Sequence, residues 1–187
     1  MAARPALGPP SARSAVIVRV HLPAGLERLR RDSVGNAVDG VPAHATLLYP
    51  FVAPGRLTPD VRGLLAGVAA AHAAFDFSLA GAARWPDAVY VRVEPVEPFV
   101  RLQAALAGAF PAFPIYGPDA GFEFVPHVSV AEGAAANDPR TLGDPAWAAL
   151  PRPSRASAIE VIARGPGGRW RTAWRIGLGR RPRSAAR

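Results

Sequence analysis

Two short segments share a pattern that limits what this chain can become: "VPAHATLLYPF" (residues 41–51) and "FVPHVSVAE" (residues 124–132). Each has a proline ahead of a histidine, a hydroxyl residue two positions after it, and then apolar residues. In a β-strand, residues i and i+2 point to one face. His44 and Thr46 therefore project together, as do His127 and Ser129. Ala45, Leu47 and Tyr49 are expected to cover the core-facing side of the first strand, and Val128 and Val130 that of the second. Each strand would then hold an imidazole and a hydroxyl on a rigid apolar backing. A proline suits the first residues of a strand, where its missing N–H is tolerated.

The surrounding periodicities repeat in order. Residues 14–22 alternate as a strand, with Val16, Val18, Val20 and Leu22 on one side and Ile17, Arg19 and His21 on the other. A short helix over 24–33 follows, then the strand over 44–49. In the second half a strand over 88–94, a helix over 97–110 and a strand over 127–131 run in the same sequence. Between them, Thr58 and Pro59 open a helix with Val61, Leu64, Leu65 and Val68 as its buried stripe. Residues 75–85 read as a further strand, and 156–164 and 169–178 as a terminal hairpin across "GPGG". Repeated topology around a repeated motif predicts an α+β, bilobal fold duplicated about a pseudo-two-fold axis. Two antiparallel sheets would line a central cleft, with helices packed outside.

Two lobes so related bring the two His–hydroxyl pairs face to face across the cleft. That arrangement suits in-line displacement at phosphorus. One neutral histidine takes a proton from the attacking oxygen, and the other, as imidazolium, protonates the leaving oxygen on the far side. The hydroxyls of Thr46 and Ser129 can donate to the non-bridging oxygens as charge develops. The sequence leaves open which histidine is base and which is acid. The bland alternative is two histidines at strand ends, bonded to backbone.

Composition narrows the field. The 187 residues suffice for one sizeable core or two small lobes, and half of them are hydrophobic. No apolar run approaches the ~20 residues of a membrane span, and the N-terminus does not read as a signal peptide. A cytoplasmic protein is expected. The chain has no cysteine, so thiol catalysis and thiolate metal sites are excluded. The net charge is +8, and all 22 basic residues are arginine. Residues 152–187 carry 10 of those arginines against one acid, Glu160. A basic end suits a polyanion such as RNA, or is simply a solvated tail. The chain divides into a disordered arm (1–13), one bilobal domain (14–179) and a basic tail (180–187).

"PAHATLLYPF" with the distal "PHVSVA" resembles the two-histidine (2H) phosphoesterase superfamily, in particular proteins of the 2'-5' RNA ligase family. The resemblance covers residues 14–179, including "AVIVRVHLP" and "VEPFVRLQAALAGAFP". It implies a bilobal fold whose two His-x-Thr/Ser strands line the cleft, with His44 and His127 catalytic and Thr46 and Ser129 binding phosphate. It also implies action on 2',3'-cyclic phosphates or 2'-5' phosphodiester linkages in RNA or nucleotides. Where some members carry an arginine shortly after the second motif, this chain has Ala131, Glu132 and Gly133. The reading is a metal-independent phosphoesterase without cofactor. Its rivals are a 2'-5' RNA ligase using the same site, and a non-catalytic RNA- or nucleotide-binding module.

Other residues are candidates for substrate contact. Arg19 and His21 sit on the strand face away from the first valine row and either touch phosphate or face solvent. Trp85, Tyr90, Tyr116 and Phe124 flank the cleft strands and either stack on a base or belong to the core. His72, ending a helix, reads as structural. His21, His44, His72 and His127 gather no acidic or cysteine ligands at metal-binding spacing. "GPGG" lacks the Gly-Lys-Ser/Thr ending of a phosphate loop, and no G-x-S-x-G occurs. No membrane or obligate protein partner is implied, and a monomer suffices.

Overall fold

The computed structural model describes residues 14–115 and 123–179; the 1–13 arm, Tyr116 and the 180–187 tail lie outside the described residues. Alternating valines build β1 (Ser14–Arg19), which ends three residues earlier than the alternation suggests. Pro23 then starts α1 (Ala24–Ser33), which buries Leu26 and, one turn on, Arg30. The histidine strand β2 (His44–Leu48) follows. Thr58 caps α2 (Pro59–Ala71), its hydroxyl accepting from the Val61 N–H at 3.4 Å. The stripe of α2 runs through Val61, Leu65, Val68 and Ala69, at i, i+4, i+7 and i+8, so Leu64 turns outward, 55% exposed.

The second half opens with β3 (Phe75–Trp85) and β4 (Ala88–Glu94), then α3 (Glu97–Ala109), which buries Phe99, Leu102 and Leu106. The second histidine strand is β5 (His127–Glu132). Two single turns, α4 (Ala134–Asn137) and α5 (Pro139–Leu142), lead to an edge strand, β6 (Arg152–Ala156). The chain closes with the hairpin β7 (Ala158–Arg164) and β8 (Trp170–Gly177). Strand β6 has no apolar alternation; its sequence "RPSRA" keeps arginines and a proline on an edge, where they discourage pairing with other chains.

These strands form two four-stranded antiparallel sheets, ordered β2-β1-β7-β8 and β5-β4-β3-β6. The two orders superpose the histidine strands, each beside the strand that precedes it through a helix. The helices exchange sides: α1, from the first unit, packs on β5, and α3, from the second, packs on β2. This reciprocal packing is the pseudo-two-fold that the repeated order implies. One core joins the lobes, with Val16, Val18, Ala45 and Leu47 from the first sheet against Val91, Val93, Val128 and Val130 of the second. Among the described residues no helix is long and apolar enough to cross a membrane.

Candidate active site

Strand register decides what each histidine strand aims at the cleft. Along β1 and β2, Ile17 pairs with Thr46 but Val16 pairs with Leu48, so Leu47 is an extra, unpaired residue. Along β4 and β5, Tyr90 pairs with Ser129 but Val89 pairs with Ala131, so Val130 is extra. Both bulges fall three residues after the histidine. A bulge puts two successive residues opposite one partner and so resets the alternation. Leu47 and Leu48 are both buried in the main core, and Tyr49 instead lines the cleft, packed on the small apolar cluster of Ala15, Ile17, Val41 and Ile162. In β5, Val130 and Ala131 are both buried, and Glu132 takes the place equivalent to Tyr49. Each strand thus presents a histidine, a hydroxyl at i+2 and a third side chain at i+5.

The imidazoles are anchored alike. Nδ1 of His44 lies 2.7 Å from the carbonyl oxygen of Pro42, and Nδ1 of His127 lies 2.8 Å from that of Val125. A carbonyl only accepts, so Nδ1 carries the hydrogen in each ring and donates it. In the neutral ring Nε2 is then the unprotonated, basic nitrogen. For His44 it lies 3.1 Å from the Thr46 hydroxyl, which donates to it.

His44, Thr46, His127 and Ser129 line one cavity of about 220 Å³. Tyr49, Glu132, Asn36 and Asp39 also line it, as do Arg164 and Trp170 of the terminal hairpin. Desolvation by the surrounding protein lowers the His44 pKa to about 4, against the opposing pull of the Pro42 carbonyl and the Glu132 carboxylate. Arg30 and Arg19 push the same way as burial. His44 is therefore neutral at pH 7.

The other candidates fall in different places. Arg19 is the cross-strand partner of His44. Its guanidinium is held by Glu160 at 2.8–3.1 Å and by Thr172 at 2.9 Å, and does not line the cavity. Burial raises the Glu160 pKa, but Arg19, Thr172 and Arg175 together hold it below the ordinary value. His21 lies beyond the end of β1, exposed, in a neighbouring concavity. Trp85 and Tyr90 stack on each other at 4.1 Å and set their rings nearly perpendicular to His127, at 4.5 and 5.4 Å. Their common contact is the His127 ring, and neither lines the cavity. Phe124 packs on the main core. His72 closes α2 with Nδ1 2.8 Å from the Val68 carbonyl, a structural place. Among the described residues no three His, Cys, Asp or Glu side chains are grouped to hold a metal ion.

Sequence reasoning missed Tyr49 and Glu132, because their orientation depends on two bulges. It also missed Asn36, Asp39 and Trp170, which come from a loop and a hairpin without a motif.

Comparison with known proteins places this geometry. A family model described as the 2'-5' RNA ligase superfamily matches residues 18–167. No curated protein matches the chain. Among solved structures, TT0787 of Thermus thermophilus superposes with a TM-score of 0.62 at 20% identity, covering 91% of this chain and 100% of its own. E. coli LigT complexed with 3'-AMP gives 0.52 at 17% identity, over 88% of this chain and 98% of its own. LigT complexed with NADP+ gives 0.53 at 18%, over 91% and 99%. At these identities the likeness is one of fold.

Proposed function

The chain belongs to the 2'-5' RNA ligase superfamily of 2H phosphoesterases, and from that premise we propose that it hydrolyses 2',3'-cyclic phosphates or 2'-5' phosphodiester linkages in RNA or nucleotides. The observation that carries the reading is that two His–hydroxyl pairs, one from each lobe, line a single cavity. The nucleotide complexes of the fold neighbour LigT support a nucleotide ligand.

The buried, neutral His44 suits the base. Its Nε2 takes a proton from water as the water oxygen attacks phosphorus. The bond from phosphorus to the ribose oxygen breaks on the opposite side. His127, protonated on Nε2 and donating from Nδ1 to Val125, gives its Nε2 proton to the departing oxygen. The cyclic diester becomes a monoester, and the two histidines have exchanged protonation states; solvent restores them. Thr46 releases its bond to His44 and, with Ser129, donates to the non-bridging oxygens as they gain charge. Each proton transfer contributes roughly 10²–10⁴ in rate, so the step needs no metal.

The test is turnover of a nucleoside 2',3'-cyclic phosphate in the presence of chelator, for wild type, His44→Ala and His127→Ala. The expected result is chelator-resistant hydrolysis that each substitution lowers by at least two orders of magnitude. Binding without turnover in wild type would instead establish a nucleotide-binding module.

A further inference from the structure

A cavity that handles phosphate would gain from a cation on its wall, yet β5 ends there in a carboxylate. Glu132, half-buried, is the third side chain that β5 presents, and it lines the cavity with both His–hydroxyl pairs. The backbone holds it in place. Glu132 pairs with Ala88 across the ladder of β4 and β5, and the next residue, Gly133, donates its N–H to the Asp87 carbonyl at 2.9 Å. Gly133 adopts φ +60°, a conformation glycine takes without strain, so the chain turns away directly after the carboxylate. The field of Glu132 reaches the opposite lobe: burial lowers the His44 pKa, and Glu132 opposes that shift.

The arginines of the cavity wall are engaged elsewhere. Arg30 is buried and clamps Glu27 and the Val41 carbonyl, at 2.8 and 3.0 Å from one amino group. Arg164 donates to the Gly168 carbonyl at 2.7 Å and pairs with the Asp39 carboxylate at 3.4 Å. Each arginine thus has its charge matched by an acid of its own, Glu27 or Asp39. The non-bridging oxygens of a bound phosphate are left to the Thr46 and Ser129 hydroxyls and to the histidines, with the Glu132 carboxylate on the same wall. Such a site tolerates a weakly charged phosphate better than a strongly charged one.

Hydrolysis changes the charge of the ligand. A cyclic phosphodiester carries one negative charge. Water adds to phosphorus and gives a proton to His44, while the ribose oxygen departs with a proton from His127. The resulting monoester loses its second proton at about pH 6, so at about pH 7.5 the product is mostly a dianion. A carboxylate beside that phosphate repels a dianion about twice as strongly as a monoanion. We propose that Glu132 is a charge filter: it admits the singly charged diester and expels the doubly charged monoester, so the site discriminates against its own product and against other phosphate monoesters. This deepens the hydrolytic reading above and rests on it. An uncharged side chain at residue 132 would hold the product more tightly and slow its release.

The experiment uses the full chain and two ligands that lack the 2'-hydroxyl and so cannot react: 2'-deoxyadenosine 3'-phosphate, the dianion, and its 3'-methyl phosphate ester, the monoanion. Calorimetry at about pH 7.5, where the monoester is mostly doubly charged, gives the ratio of their Kd values for wild type, Glu132→Gln and Glu132→Asp. Wild type should favour the diester by roughly tenfold, the order set by one added charge near a carboxylate at a partly solvated site. The ratio should fall toward one in Glu132→Gln and persist in Glu132→Asp, which keeps the charge. A wild-type preference for the monoester, or a ratio that Glu132→Gln leaves unchanged, overturns the proposal. Equal weakening of both ligands in Glu132→Gln would make the residue structural and overturns it as well. Because neither ligand turns over, the filter and the hydrolytic activity fail separately: preserved discrimination without hydrolysis of a cyclic nucleotide refutes the activity alone, and no binding of either ligand refutes both.

Discussion

The carbonyl oxygen of Pro42 lies 2.7 Å from Nδ1 of His44, the side chain two residues ahead of it in the chain. A backbone acceptor at that place fixes the tautomer and turns the basic nitrogen, Nε2, toward the cleft. Val125 does the same for His127. The residue two before each histidine thus orients the ring through its backbone, and its side chain is free to differ between the halves.

Burial lowers the His44 pKa to about 4, so the acid limb of kcat/KM should fall near pH 4, well below the ordinary histidine range. Glu132 pulls that pKa upward; Glu132→Gln should therefore move the limb to still lower pH. An acid limb near pH 6.5 would remove His44 from the role of base. Stability should follow the same sign. Between about pH 4 and 6.5 the unfolded chain binds a proton at this residue that the folded chain refuses, so folding weakens as pH falls through that window. His44→Gln should flatten this part of the curve in denaturant titrations.

Thr46 and Ser129 occupy corresponding places on the two histidine strands, so their removal should be felt in the transition state more than in binding. Thr46→Val and Ser129→Ala are each expected to lower kcat by roughly 10²–10³ with a smaller change in KM. Steady-state kinetics on one cyclic substrate decides it. A rise in KM at constant kcat would reassign them to ground-state binding.

Trp85 and Tyr90 back the His127 ring from one side, at 4.5 and 5.4 Å. Trp85→Ala should loosen that ring and lower kcat, while Trp85→Phe, which keeps an aromatic wall, should recover most of the loss. KM should change little in either, because neither Trp85 nor Tyr90 lines the cavity. A selective KM effect would instead mark Trp85 as a base-stacking residue.

Much of this arrangement is legible in the chain because it rests on local period. The two His-x-Thr/Ser strands, the α3 stripe of Phe99, Leu102 and Leu106, and the order of strand, helix and strand follow from spacing alone. What escapes is non-local. Tyr49 reads as core-facing because a bulge at Leu47 cannot be seen without its partner strand. Arg19 is the cross-strand partner of His44, yet Glu160, 141 residues away in the chain, holds its guanidinium outside the cavity. Strand β6 carries no periodic signal because its order comes from pairing with β3. Residues placed by their own strand were readable; residues placed by a distant partner were not.

The shared core gives the last prediction. Phe99, fully buried on α3, meets Phe75 and Phe77 edge-on at 4.9 and 5.1 Å and belongs to the cluster that includes Val16, Ala45 and Leu47 of the other lobe. Removing its ring should cost about 3–5 kcal/mol. Because that core is continuous, the loss should not be confined to the second lobe. Phe99→Ala should lower the unfolding midpoint of the whole molecule in one cooperative transition, followed by tryptophan fluorescence. Single-tryptophan proteins retaining Trp85 in the second sheet or Trp174 in the first should report the same midpoint. Two separated midpoints would mean that the lobes unfold independently and that the reciprocal packing of α1 and α3 does not couple them.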